Sequence, residues 1–277
     1  SFKANWNPKS VNLSETATEM TLLPESFVFV DDNPAERAII EGELPGVAIP
    51  AIDGVEHYIQ TIDKSGFFEV TNISSDDLKR NEMYQENAKR AKMQSSFANY
   101  EDYLKSLEMK GEIRSFIPMY MSRIAQLTNK SNQFNLTTKR YSQSDIEEVA
   151  EDPNRITLYG KLSDKFGDNG VVSIVIGKID GADKDELHME LWLMSCRVLK
   201  RDMEFAMMDE LVERARDSGI KKIIGYYYPT SKNSMVKDFY ALQGFEKIAE
   251  DETGNTRWLF EVKDDYEKKQ SVIEIIR

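Results

Sequence analysis

Hydrophobic residues change their spacing several times along this chain, and each change predicts an element. Val11, Leu13, Ala17 and Met20 recur at helical intervals and Pro24 follows as a stop, which predicts a helix over 10–20. Phe27-Val-Phe-Val30 is a short, wholly apolar run bounded by Pro24 and Asp31, the pattern of a buried parallel strand. A helix from Pro34 through Ile40 and a strand at 47–49 would complete a strand–helix–strand α/β unit. Residues 76–107 are polar, with helical spacing and few strand signals, and read as a partly solvated helical connection.

From residue 108 onward the pattern is that of one α+β domain. A strand over 109–116 precedes a helix over 118–129 that carries Pro118 in its first turn. A second helix starts at Ser144, with Ser144 and Glu147 as a capping box. Strands follow over 156–161, 171–179 and 187–194, and Asp168-Asn-Gly170 reads as a turn ahead of the second. The stretch 186–215 alternates through Leu187, Met189, Leu191 and Leu193, then turns helical at Met203, Met207, Leu211 and Val212. Gly219 is placed to cap that helix. A strand over 222–228, a helix over 233–242 ending at Gly244 and a strand over 257–262 complete the order. The charge run 263–269 reads as a solvated tail. The expected divisions are 1–75, a connection over 76–107, and 108–277.

Composition narrows the function classes. With 36 basic and 48 acidic residues the net charge is −12, which argues against non-specific binding to nucleic acid or to anionic membranes. One cysteine excludes an internal disulfide framework, and two histidines, His57 and His188, exclude a His-rich metal site. No apolar run approaches the ~20 residues of a membrane span. There is no basic segment followed by an apolar one at the start, so the cytoplasm is the expected compartment. The sequence opens on Ser1 without a Met and reads as a piece of a longer protein.

Four groups of residues carry candidate chemistry. Cys196 stands at the joint between a strand and a helix, followed by Arg197, Lys200 and Arg201. Neighbouring cations and a helix start lower a thiol pKa, whereas a lone cysteine ending an apolar strand is otherwise a small core filler. His188 lies eight residues back on the same strand, about 26 Å away at ~3.3 Å per residue, too far to serve as its base. Lys9 precedes a helix and Asp31-Asp32 ends a strand, an arrangement that suits Mg²⁺-assisted phosphoryl chemistry. The same two aspartates equally read as a strand end capping the helix at Pro34. The loop 129–141 gathers Asn129, Asn132, Asn135, Thr137 and Thr138, which suit a polyol or a pantetheine arm, or else satisfy their own backbone. In the strand at 226–228, either Tyr226 with Tyr228 or Tyr227 alone faces a cleft.

The turn Arg197-Val-Leu-Lys-Arg-Asp202 resembles the R/Q-x-x-G-x-G/A pyrophosphate turn of GNAT acyl-CoA N-acyltransferases, with Lys200 and Asp202 at the glycine positions. The order of elements after residue 108 is likewise that of a GNAT domain. More widely, WNPKS, FVFVDDNPAER, LTNKSNQFNLTTKRY, DKFGDNGVVS, LMSCRVLKRDME and YYYPTSKNSMVKDFYALQGF resemble FkbH-like proteins, which join a haloacid-dehalogenase (HAD) type phosphatase domain to a C-terminal GNAT-like domain. The resemblance implies the closing part of a HAD-like Rossmannoid α/β domain over 1–75, with Lys9 as the phosphate-neutralising catalytic lysine and Asp31 and Asp32 as metal carboxylates for Mg²⁺. It implies a catalytic Cys196 that holds a glyceryl-type acyl group drawn from a small phosphorylated metabolite and passes it to an acyl carrier protein thiol. Asn129, Asn132, Asn135, Thr137, Arg197, Lys200, Arg201, Asn233 and Tyr240 are the implied substrate-binding residues, with acyl-CoA or a phosphopantetheine thioester as donor. The alternative is a phosphatase whose GNAT-like half only recognises its partner. The first two HAD motifs, which include the phosphoryl nucleophile, have no counterpart in the sequence.

Overall fold

The computed structural model describes residues 1–20, 22–69, 78–182 and 184–276. Two compact units divide the chain, Ser1–Tyr84 and Gln85–Arg277. The first holds α1 (Lys9–Met20), α2 (Pro34–Glu43) and α3 (Tyr58–Lys64). Asn33 accepts a hydrogen bond from Ala35 N–H and Pro34 fills the first turn, so α2 begins on a preset backbone. The strands expected at 27–30 and 47–49 reduce to one parallel bridge, Val28 with Ala48. Only the Phe29 N–H to the Ala48 carbonyl (2.8 Å) and the Ala48 N–H to the Phe27 carbonyl (3.0 Å) join them. A pair of short strands has little independent stability, which explains the reduction. Among the described residues this unit buries only Ala17, Ile40, Val47, Ile52 and Met83 as apolar core.

The division falls within α4 (Arg80–Gln94), which is followed by α5 (Tyr100–Ser106). The second unit is built on eight strands: β1 (Met109–Arg114), β2 (Arg155–Asp164), β3 (Gly167–Asp180), β4 (Glu186–Met194), β5 (Lys222–Tyr227), β6 (Glu246–Glu250), β7 (Thr256–Glu261) and β8 (Ile273–Ile276). Their order in the sheet is β6-β7-β5-β4-β3-β2-β1-β8. β1 to β4 form an antiparallel meander, whereas β4 with β5 and β1 with β8 pair in parallel. Alternation along β4 sends Leu191 and Leu193 to one face and Trp192 and Met194 to the other. The first face packs on α6 (Met121–Lys130) and α7 (Gln143–Glu151) through Ile124, Leu127, Ile146 and Val149. The second packs on α8 (Met203–Asp217) and α9 (Phe239–Leu242) through Met203, Met207, Leu211 and Phe239. The second unit is thus a mixed sheet with helices on both faces.

Three local expectations change. The capping box of α7 is Ser142 with Asp145, not Ser144 with Glu147: Ser142 Oγ accepts from Asp145 N–H (3.1 Å) and the Asp145 carboxylate from Ser142 N–H (2.7 Å). The β2–β3 turn lies at Lys165-Phe166, and Asp168-Asn-Gly170 sits inside irregular β3, with Gly170 at φ 66°. The run 263–269 is docked rather than solvated. Buried Asp209 accepts from the Tyr266 hydroxyl (2.7 Å) and from the Lys269 and Gln270 N–H groups (3.0 and 3.1 Å). That anchor leads the chain into β8, which the sequence reading did not contain.

Candidate functional site

β4 and β5 pair only over Glu186–His188 and Lys222–Ile224. Glu190 is an extra residue between the pairs Ile176–Leu191 and Gly177–Met189, a bulge that kinks β4 where the two strands separate. The opening contains the segment 134–137 of the Asn/Thr loop. Leu136 N–H donates to the Trp192 carbonyl (3.0 Å) and Met194 N–H to the Phe134 carbonyl (3.0 Å) on the β4 side. Tyr228 N–H donates to the Leu136 carbonyl (2.9 Å) on the β5 side. The chain itself thus pairs with the β4 edge exposed by the separation.

The loop's polar side chains serve this arrangement. Buried Asn135 accepts from Thr138 N–H (2.9 Å), and the Thr137 hydroxyl donates to the Glu190 carbonyl (2.7 Å). Asn129 donates to the Ala125 and Tyr141 carbonyls (2.9 and 3.0 Å), and Asn132 accepts from Arg140. Asn233 is fully buried; its amide donates to the Asn135 and Tyr228 carbonyls (both 2.9 Å) while its oxygen accepts from Thr230 N–H (2.7 Å). These bonds favour the reading in which the loop satisfies its own backbone. Tyr240 is buried behind β5. A Cβ at Gly225 would come within 2.4 Å of the Tyr240 ring, so glycine there admits the tyrosine.

Beyond β4 the chain makes a single 3₁₀ turn, Cys196–Val198, capped by Ser195, before α8. Cys196 is half-buried. Ser195 Oγ accepts from Arg197 Nε (3.2 Å). Lys200 and Asp202 have φ of 62° and 59°, the left-handed region that favours glycine. Both residues at the expected glycine positions therefore hold a glycine-like backbone, at a cost of roughly 1 kcal/mol or more each. The Tyr100 hydroxyl donates to the Lys200 carbonyl (2.5 Å) and Ala206 N–H to the Asp202 carbonyl (3.0 Å), which fixes the turn. The N-terminal end of α8 carries carboxylates of its own. Burial pushes Glu204 up to about 7, with Asp202 adding to the effect, and one Glu204 oxygen is buried without a partner. Burial also raises Asp202, and Glu101 contributes.

Arg201 departs from the expected surface patch. It is buried against Asp164 (3.2 Å) and Asn87 (3.2 Å), because Asp164 also holds buried Arg90 through two 2.7 Å bonds. Lys200 remains exposed and Arg197 half-exposed.

Sequence reasoning missed the outer face of β4 and β5. Tyr227 is core, and Tyr226 and Tyr228 lie on the opposite face. There His188 Nδ1 meets the Tyr226 hydroxyl at 2.8 Å and Nε2 lies 3.4 Å from the Glu186 carboxylate. No local signal links His188 and Tyr226, which are 38 residues apart and meet only through parallel strand register.

In the first unit, Lys9 and Asp31 form an ion pair, and Asp31 also accepts from Asn33 N–H (2.9 Å). Burial opposes ionisation of Asp31, but Lys9 and the Asn33 amide outweigh it and hold the carboxyl below its usual range. Arg37 donates to the Asp31 and Asp32 carbonyls (2.6 and 3.2 Å), and the Asp32 residue is exposed. Among the described residues no group of three His, Cys, Asp or Glu side chains could hold a metal ion, so Asp31 and Asp32 do not by themselves fit a Mg²⁺ site. Among the described residues no helix is long and apolar enough to cross a membrane.

No protein-family model matches this chain, and no curated protein matches it. Solved structures similar to it include GNAT acetyltransferases. The GNAT domain of S. lividans PAT is 18% identical, with 54% of this chain and 89% of that one covered at a TM-score of 0.43. A GNAT-family acetyltransferase from Streptococcus pneumoniae is 14% identical over 56% of this chain and 100% of its own, with a TM-score of 0.45. A Mycobacterium tuberculosis protein solved in complex with CoA is 14% identical over 55% and 99%, with a TM-score of 0.42. At such identities the chemistry of each residue must come from its own surroundings.

Proposed function

We propose that the second unit is a GNAT-type acyl-transfer domain of the FkbH-like kind, accepting a small acyl group from a pantetheine thioester on Cys196 and passing it to an acyl carrier protein thiol. The left-handed backbone at Lys200 and Asp202 carries this reading. It keeps the shape of a phosphate-facing turn while replacing the residues that would let a pyrophosphate approach closely. Two carboxyl groups, Asp202 and the partly protonated Glu204, occupy the same helix start, which gives the several phosphates of free CoA no added attraction. A carrier-bound pantetheine arm brings a single phosphodiester and is the better match. The thiolate of Cys196 would attack the thioester carbonyl, the donor thiol would leave with a proton, and the acyl group would rest on sulfur. On this reading the acyl group would be glyceryl-type, drawn originally from a phosphorylated metabolite by HAD chemistry in which Lys9, Asp31 and Asp32 would take part. No step is assigned to Mg²⁺ on the two carboxylates alone.

Intact mass measured after incubation with S-acetyl-N-acetylcysteamine, and separately with acetyl-CoA, tests this. The expected result is a one-acetyl adduct from the first thioester, little from the second, and none in Cys196→Ser. No adduct from either thioester, or an adduct that persists in Cys196→Ser, would overturn it.

The segment 134–137 supports a second reading, in which the unit recognises a carrier protein without chemistry. By pairing with both strands it takes the place in which a thioester arm would run along β4. Binding of a holo carrier protein that is equal in the parent and in Cys196→Ser, with no adduct in either, is the outcome expected from that reading.

A further inference from the structure

We infer that Asp180-Gly181, where β3 ends, is a site of self-modification at which the chain closes a succinimide ring and reopens it in part as isoaspartate. That chemistry needs a main-chain nitrogen held against the side-chain carboxyl of the residue before it. Gly181 N–H donates to Asp180 Oδ1 at 2.8 Å, so the nitrogen lies beside the carboxyl group it would attack. A separation of about 3–3.5 Å between reacting atoms is a near-attack arrangement. Both residues are exposed, and the torsion that turns an aspartate carboxyl is broad, so its face can swing to the nitrogen without backbone movement. Gly181 has φ 94°, a conformation that residues with a Cβ avoid, and it brings no side chain to crowd the nitrogen. Across the strand pair Asp180 faces Glu186. Carboxylates directly opposite each other repel, and closing the ring removes one of the two charges.

Sequence alone selects a different place, because an asparagine loses ammonia more readily than an aspartate loses water. Asn169-Gly170 is the Asn-Gly pair of this chain. In the fold Asn169 is only 1% exposed, and Gly170 N–H donates to the Asp168 carboxylate (2.7 Å), which turns its nitrogen to the wrong partner. Asp53-Gly54 is the other Asp-Gly pair, and there the carboxylate is held by His57 Nδ1 at 2.8 Å. At Asp180 the Gly181 nitrogen bonds to Cγ, its N–H bond and one Cγ–O bond break, and the oxygen leaves as water with the amide proton and one from solvent. Water then adds to either ring carbonyl. Opening at Cγ restores aspartate. Opening at the main-chain carbonyl leaves that carbon as a free carboxylate and routes the backbone through Cβ and Cγ, one methylene longer. The added length falls just before Asp185, whose carbonyl accepts from the Lys221 and Lys222 N–H groups (2.8 and 3.2 Å), so isomerisation loosens the start of β5.

Incubating the folded chain in heavy-oxygen water tests this, because each ring opening leaves one heavy oxygen on the residue that formed the ring. After transfer to ordinary water, peptide mapping with fragmentation assigns the label; residue 180 lies in the tryptic peptide 179–184. Label at residue 180 should accumulate roughly tenfold faster than at residue 53 or residue 169, with isoaspartate among the products. In urea the order should change and residue 169 should become the fastest, since the fold no longer restrains it. Asp180→Glu, whose ring would be one member larger, should lose the label at 180 and leave residues 53 and 169 as they were. Amide exchange at Lys221 and Lys222 should quicken in the isomerised fraction; unchanged exchange would refute the effect on β5. Label at residue 180 no faster than at residue 53, or residue 169 the fastest in the folded chain, would overturn the inference.

Discussion

Asp164 should be the most expensive single residue to remove from the second unit. Its carboxylate is fully buried and accepts from Arg90 Nε and Nη2 at 2.7 Å, from Arg201 at 3.2 Å, and from the Phe166 and Gly167 N–H groups at 2.9 and 3.3 Å. Arg90 is 2% exposed and Arg201 8%. Asp164→Ala leaves two buried guanidinium groups facing each other, with Asn87 and the partly exposed Glu86 as their remaining partners. Breaking a buried charge pair in this way costs about 3–5 kcal/mol. With a urea slope of roughly 3 kcal/mol/M for a unit of this size, the midpoint should fall by about 1–1.7 M. Fluorescence of Trp192 and Trp258, both in this unit, reports the transition. Asp164→Asn, which keeps the shape and loses the charge, should fall between the parent and the alanine variant. A midpoint within about 0.3 M of the parent for Asp164→Ala would refute the reasoning, because it would mean that water or neighbouring residues already solvate the arginines.

Three further outcomes are expected. Because Glu204 is raised from 4.5 to about 7, the folded state holds its proton longer than the unfolded chain, so its contribution to stability is full below about pH 4.5 and declines as pH rises through about 7. The loss is at most about 3 kcal/mol, and Glu204→Gln should flatten that limb in denaturation curves taken at pH 5 and pH 8. Asn233→Ala removes both carbonyl contacts of the amide and should cost about 2–3 kcal/mol; hydrogen exchange should quicken at Leu136 and Tyr228, and unchanged protection there would count against the anchoring role. Replacing Lys200 and Asp202 with glycine together relieves the left-handed strain but adds unfolded-state entropy, so stability should change by less than about 1 kcal/mol. Calorimetry should nevertheless show a clear gain in acetyl-CoA affinity, and no gain would show that the turn is not a phosphate site.

Much of the second unit is legible in the sequence because its strands and helices alternate with clean periods. β4 and the helix after Cys196 fall where the spacing of Leu187 to Val212 puts them, and β2 and β3 include the runs 156–161 and 171–179 expected to be strands. What escaped has physical causes. Lys200 and Asp202 adopt a conformation that sequence normally announces with glycine, and here the Tyr100 contact and the start of α8 support it instead. The run 263–269 looks solvated because its charges dominate, yet a buried carboxylate 57 residues upstream captures it through the Tyr266 hydroxyl. The candidate strands at 27–30 and 47–49 carry the right composition but have only each other as neighbours. Arg201 reads as a surface cation until Asp164 is seen to face it from another strand.

The docked β8 has a consequence for how the chain reaches its fold. Met109 pairs with Ile273 and Glu112 with Ile276, so one border of the sheet joins residues about 160 positions apart. Closing so long a loop is slow, and nothing can sit beside β1 on that side until the segment from Asp209's anchor to residue 276 has left the ribosome. During synthesis Met109 and Ile113 therefore face an incomplete border, while β2, β3 and β4 can already zip together as a local meander. Emergence of β8, rather than of the meander, sets when this border is sealed, and until then it is the natural point of capture by a chaperone or by a second nascent chain.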